Sequence, residues 1–184
     1  MQLRDNGLRF SPVTIVLHWV VAILLFSIIG LGIAIAQAGD DVRKLEWIHV
    51  QNLLGLFVLL VSTYRFWARV TSYHPLPLGT PNPVEVIASR SVAAALALAM
   101  VLLPLAAWLS RCAAGEIVGL PGGWVIPAPF GPNAQAHRVF AFLFNLGATA
   151  FLGGLALHIF GALKNHLVLK NDALKRMLGK HVEL

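Results

Sequence analysis

Four histidines stand in, or at the edge of, stretches that are otherwise apolar. They are His18 in TIVLHWVVAILL, His49 in EWIHVQNLLGL, His137 in NAQAHRVF and His158 in LGGLALHIFGAL. A polar ring in hydrocarbon costs free energy unless something satisfies it. An imidazole can be satisfied by a hydrogen bond to a neighbouring helix, or by giving a ring lone pair to a metal. Depth sorts these four into pairs. His18 lies about a turn and a half into the first apolar run, and His158 lies about the same distance from the far end of the last one. His49 and His137 fall together at the opposite level.

Two imidazoles from different helices make a donor set with a narrow range of uses. No carboxylate or thiol joins them, which counts against zinc and copper. The single cysteine, Cys112, excludes an internal disulfide framework, covalent attachment through a CxxCH motif and cysteine-rich metal sites. Two neutral imidazoles do suit both axial positions of a porphyrin iron, leaving no open site for oxygen. The expectation is therefore two haem b groups, held non-covalently at two depths, forming a path for single electrons through a bilayer. The competing expectation is that the histidines only hydrogen-bond helix to helix.

Helical spacing tests whether one face carries each set. His137 and His158 are 21 residues apart, six turns less about 60° at about 100° per residue. Modest supercoiling can bring both toward one interior. The heptad steps between them, Phe144 and Phe151, are large enough to fill space between two bound groups. Gly147, Gly154 and Gly161 run beside them as a stripe. Fourteen residues beyond His18 comes Gly32, and fourteen beyond His49 comes Thr63. Each helix thus pairs a histidine at one level with a small residue at the other. Gly32 and Gly154 are accordingly expected to clear room for a flat ligand, or else to let helices approach closely. His166 is an alternative ligand, whereas His74 and His181 belong to a loop and a tail and read as solvated.

The elements that must position these residues are membrane helices. The chain has 184 residues, 58% of them hydrophobic and only 12% charged, with a mean hydropathy of +0.75. Such a profile fits lipid better than water. Four apolar segments, 13–36, 47–67, 92–109 and 139–163 (the last extended to 137–165 as a helix), are long enough to span about 30 Å of hydrocarbon. The first is too long for a signal-peptide core and shows no convincing cleavage site, so it is read as retained. No separate soluble domain or internal repeat is evident. The expected fold is all-α, one membrane domain over 1–184, arranged as a four-helix bundle.

Charge sets the expected orientation. With the N-terminus inside, ten Lys/Arg fall on the inner side and four on the outer, so both termini are expected in the cytoplasm. The net charge of +6 belongs to residues flanking apolar runs, which points to lipid headgroups and topology rather than nucleic acid. The four outer residues, Arg43, Lys44, Arg111 and Arg138, read either as interface anchors or as an electropositive entrance for an anion or haem propionates. The inner loop TSYHPLPLGTPNPVE is expected to be extended. The outer loop AAGEIVGLPGGWVIPAPFGPNAQ is either a cap over the bundle or a connector.

At this point VLHWVVAILL, WIHVQNLLGLFVLLVSTYRFWAR and LHIFGALKNHLVLKNDALKRML together resemble the bacterial cytochrome b561 family. The resemblance extends through LLPLAAWL and GLPGGWVIP over nearly all of the chain. It implies a four-helix bundle in the bacterial inner membrane with two b haems ligated from helices 1, 2 and 4. Matched by motif, His18 and His158 would hold the inner haem, and His49 and His137 the outer one. Family members exchange electrons with quinone, and one branch oxidises superoxide on the outer face and reduces ubiquinone. The expected function is electron transfer between an outer-side donor, a small anion such as superoxide, and ubiquinone. The alternatives are a haem-carrying anchor subunit for a partner dehydrogenase or hydrogenase, and a haem-free interaction protein.

Overall fold

The computed structural model describes residues 5–6, 9–39, 42–73 and 82–180. His74, His181 and most of the proline-rich loop expected to be extended lie outside the described residues. Four long helices dominate: α1 (Pro12–Gln37), α2 (Val42–Thr71), α3 (Pro83–Ala113) and α4 (Ala134–Leu163). All four are long and apolar enough to cross a membrane. A short antiparallel hairpin, β1 (Val118–Gly119) and β2 (Val125–Ile126), lies between α3 and α4. A π-helical turn, Lys164–Val168, and the short helix α5 (Ala173–Met177) follow α4.

Capping chemistry sets where the helices start. Ser11 Oγ accepts the Thr14 N–H at 3.1 Å, and Pro12 occupies the first helical position, where no N–H is needed. The same logic starts α3 nine residues before the expected 92. Asn82 Oδ1 accepts the Val84 N–H at 2.9 Å, Pro83 follows, and Glu85 sits in the first turn. Asn133 caps α4, its Oδ1 accepting the N–H groups of Gln135 and Ala136 at 3.0 and 2.9 Å. That cap places His137 in the first turn.

The chain forms two compact units, each built from parts of all four helices. The first comprises Met1–Val20, Thr63–Ala99 and Thr149–Leu184. Phe151 is buried in it, and Lys164 pairs with Glu85 at 2.9 Å, joining α4 to α3. Trp19 Nε1 donates to the Met177 carbonyl at 2.9 Å, fastening the chain after α4 to α1. The second unit comprises Val21–Ser62 and Met100–Ala148. Its buried side chains include Val21, Val58, Met100, Cys112 and Val118. Large apolar residues elsewhere face outward, and Ile23, Leu60, Leu102 and Phe160 are all more than half exposed. In water such surfaces are a liability, but in lipid they match their solvent.

Candidate functional site

The first unit brings His18 and His158 together. Their ring centroids are 6.2 Å apart, with the planes inclined at 58°. Two metal–imidazole bonds of about 2 Å each, plus half a ring at either end, sum to roughly 6 Å. The separation therefore suits one metal held between two axial rings. Trp19 meets His18 edge-on, with centroids 5.5 Å apart. His166, the alternative ligand, lies in the π-helical turn after α4, while the ring beside His18 is that of His158.

A third group stands at this pair. Arg65 of α2 places Nη2 3.2 Å from His18 Nδ1. Arginine can only donate, so this contact uses the Nδ1 lone pair and leaves the ring proton on Nε2. Ligation through Nε2 needs the opposite tautomer, with the proton on Nδ1. Arg65 must therefore turn away whenever Nε2 takes a metal, and its charge then needs another acceptor within the same unit.

The second unit holds His49 and His137. His137 Nδ1 donates to the Ser110 carbonyl at 2.9 Å, and the Ser110 hydroxyl lies at 3.2 Å. This hydrogen bond fixes the proton on Nδ1 and leaves Nε2 with a bare lone pair. Metal-binding histidines are commonly oriented in this way. His49 lies under the hairpin, and a Cβ added at Gly119 would come 2.5 Å from its Nε2. Only glycine lets the hairpin backbone come so close to the ring. Asn52, one turn beyond His49, donates from Nδ2 to the Gly119 carbonyl at 2.8 Å. Arg111 holds Asn52 Oδ1 from Nη1 and Glu116 Oε2 from Nε, both at 2.9 Å. The loop after α3 thus lies against His49 and is tied down just before and within β1. Its tip turns at Gly122 and Gly123, whose φ values of 78° and 80° suit glycine.

The glycines expected to clear a flat ligand have other neighbours. A Cβ at Gly32 would meet the Gln51 amide at 3.0 Å, and Gln51 donates to the Ile28 carbonyl at 3.1 Å. A Cβ at Gly154 would meet Leu96 at 3.4 Å, and one at Gly147 would meet Leu103 at 2.9 Å. At Gly147 and Gly32 a neighbouring side chain stands within 3.0 Å of where a Cβ would lie, and at Gly154 it makes ordinary contact, the close approach that small residues allow between helices. Phe151 is buried and Phe144 half-buried, as residues that fill space between helices. Of the basic residues expected at an entrance, Arg111 is committed to Asn52 and Glu116, while Arg43 and Arg138 are exposed.

Among the described residues no three His, Cys, Asp or Glu side chains converge to hold a metal ion. A porphyrin supplies its own equatorial nitrogens and asks the protein for only two donors. The His18–His158 spacing and the bare Nε2 of His137 fit that request. Sequence reasoning had missed Arg65, Gln51, Asn52 and Gly119. Arg65 and Asn52 carried a signal, as strongly polar side chains inside an apolar run. Ser110 acts through its backbone carbonyl and carried none.

The sequence family described as prokaryotic cytochrome b561 matches residues 9–180. Cytochrome b561 homolog 2 of Escherichia coli (strain K12) is 28% identical over 184 residues, a match covering 98% of this chain and 96% of that protein. With four membrane-capable helices and the neighbouring His18 and His158 rings already in place, the chain belongs to the prokaryotic cytochrome b561 family, membrane proteins that carry electrons on haem b.

Proposed function

We propose that the chain binds two b haems, one between His18 and His158 and the other between His49 and His137. It transfers electrons between a donor on the side of His49 and His137 and ubiquinone. The 6.2 Å spacing of the His18 and His158 rings carries this reading. Haem b held by two imidazoles supplies one-electron redox chemistry with little ligand rearrangement. The chain's own part is to present lone pairs and hold them still. Ser110 keeps the His137 proton on Nδ1, and the Trp19–Met177 hydrogen bond steadies the residue next to His18. Gly119 of the hairpin lies against the His49 ring.

The donor in this proposal is a small anion, superoxide. Two superoxide ions give two electrons to one ubiquinone, which takes up two protons to form ubiquinol and releases two molecules of oxygen. Electropositive residues at the outer ends of the helices would draw such an anion in. The protein sits in the bacterial inner membrane with both termini cytoplasmic, a placement supported by the ten-to-four division of Lys and Arg.

The deciding experiment combines haem stoichiometry with turnover of the purified protein. Two haems per chain, together with superoxide-dependent reduction of ubiquinone by the protein alone, are expected. A protein that is inert alone and copurifies with a soluble dehydrogenase or hydrogenase is instead an anchor subunit. The absence of a Soret band would sink both.

A further inference from the structure

Within the first unit, a groove of about 510 Å³ opens between the last turns of α2 and the third turn of α3. Its walls are Phe66, Arg69 and Val70 on one side, and Arg90, Ser91 and Ala94 on the other. Two guanidinium groups therefore share one cleft, and among the described residues no acidic side chain lines it. Neither has a hydrogen-bond or ion-pair partner among the described residues; the carboxylate whose charge acts on Arg69 is Asp5, whose Oδ1 already accepts the Ser11 N–H at 2.7 Å. Like charges left side by side are costly in a partly buried place, and an anion between them relieves that cost.

The groove also has a direction. On α3, Arg90 and Ser91 each lie three or four residues from both Ile87 and Ala94, and Leu98 lies four beyond Ala94, so the five share a face. From Arg90 to Leu98 that face runs about 12 Å along the helix and changes from charged to apolar. Ile87, Leu98 and, on α2, Val70 are exposed apolar side chains. A ligand filling this surface needs a negative head and a long apolar tail.

We propose that the Arg69–Arg90 groove is a binding site for an anionic phospholipid. The phosphate lies between the two guanidinium groups, and an acyl chain runs along Ala94 and Leu98. Arginine suits the head because its planar donor fork matches phosphate oxygens. Phe66 and Val70 cover the glycerol end of the tail. Among the described residues no histidine lines the groove.

The test uses the full-length protein in nanodiscs or mild detergent, with thermal unfolding and native mass spectrometry as readouts. Phosphatidylglycerol is expected to raise the Tm and to remain bound as one retained lipid, whereas phosphatidylcholine does neither. Arg90 is exposed, so R90Q should fold; it is expected to weaken phosphatidylglycerol binding about fivefold, the factor for one near-surface cation. R69Q/R90Q should abolish selectivity over phosphatidylcholine, and R69K/R90K should restore part of it. Equal effects of the two lipids, or R90Q and R69Q/R90Q binding like the unsubstituted protein, would overturn the proposal. A Tm shift reproduced by inorganic phosphate alone would also overturn it, since the site would then take a free anion rather than a lipid.

Discussion

Arg65 Nη2 lies 3.2 Å from His18 Nδ1, and the proton arrangement this contact demands is the reverse of the one a metal on Nε2 requires. In the haem-loaded protein the guanidinium must therefore release the ring while remaining near it. A fixed cation there disfavours the more positive, ferric state of a nearby iron. R65Q is expected to move one haem to a more negative midpoint potential and leave the other in place, with R65K recovering much of the shift. A redox titration followed in the visible spectrum measures this. Unchanged potentials at both centres in R65Q would remove Arg65 from any electrostatic role.

His18→Ala should halve the haem content rather than abolish it. The substitution removes one ring of the His18–His158 pair, while the Ser110 hydrogen bond to His137 lies in the other unit. Pyridine haemochromogen analysis of H18A and H137A, singly and together, checks this. Each single variant should retain one haem per chain and the double variant none. Complete loss in H18A alone would show that the two sites are not independent.

Gly119→Val addresses the second unit. A Cβ at this position falls 2.5 Å from His49 Nε2, so either the ring or the hairpin must shift. Overpacking of this kind costs about 1–3 kcal/mol. The expected outcome is a lower Tm and selective loss of the haem assigned to His49 and His137, with the other spectrum intact. An unaltered spectrum and Tm would mean that the hairpin does not constrain His49.

Arg111→Gln should loosen the same cover from its other end. It removes the donor that holds Asn52 and Glu116, and Asn52 in turn holds the Gly119 carbonyl. Because Arg111 and Glu116 are partly exposed, the loss in stability is on the order of 1 kcal/mol. Faster hydrogen exchange confined to residues 118–126 is the expected signature. Exchange unchanged there would show that the hairpin is held by its apolar contacts instead.

The four helices were legible in the sequence, and so was the common level that brings the His18 and His158 rings near each other, because hydrophobic run length and depth along a helix are properties of the chain itself. The start of α3 was not read from hydropathy, since Asn82, Pro83 and Glu85 are polar or neutral on that scale yet form a cap. The hairpin was not legible: the segment reads only as a cap or a connector, because strands of two residues leave no periodicity to detect. For Gly32 the spacing from His18 gave a level and a face but not the neighbour, Gln51, whose amide a Cβ there would meet. Arg65 was counted only as a topological charge. Its contact with His18 joins residues 47 apart in sequence on two helices, a relation that no single helix encodes.

The hydrogen bond from Trp19 to the Met177 carbonyl makes the last helical segment a mechanical tether. Its anchor point is the peptide neighbour of a proposed iron ligand, reached across 158 residues of chain. Tension on that segment, whether from a fused tag or from a bound redox protein, would be felt one residue from His18. The tail thereby offers a handle through which something outside the membrane could disturb a centre inside it.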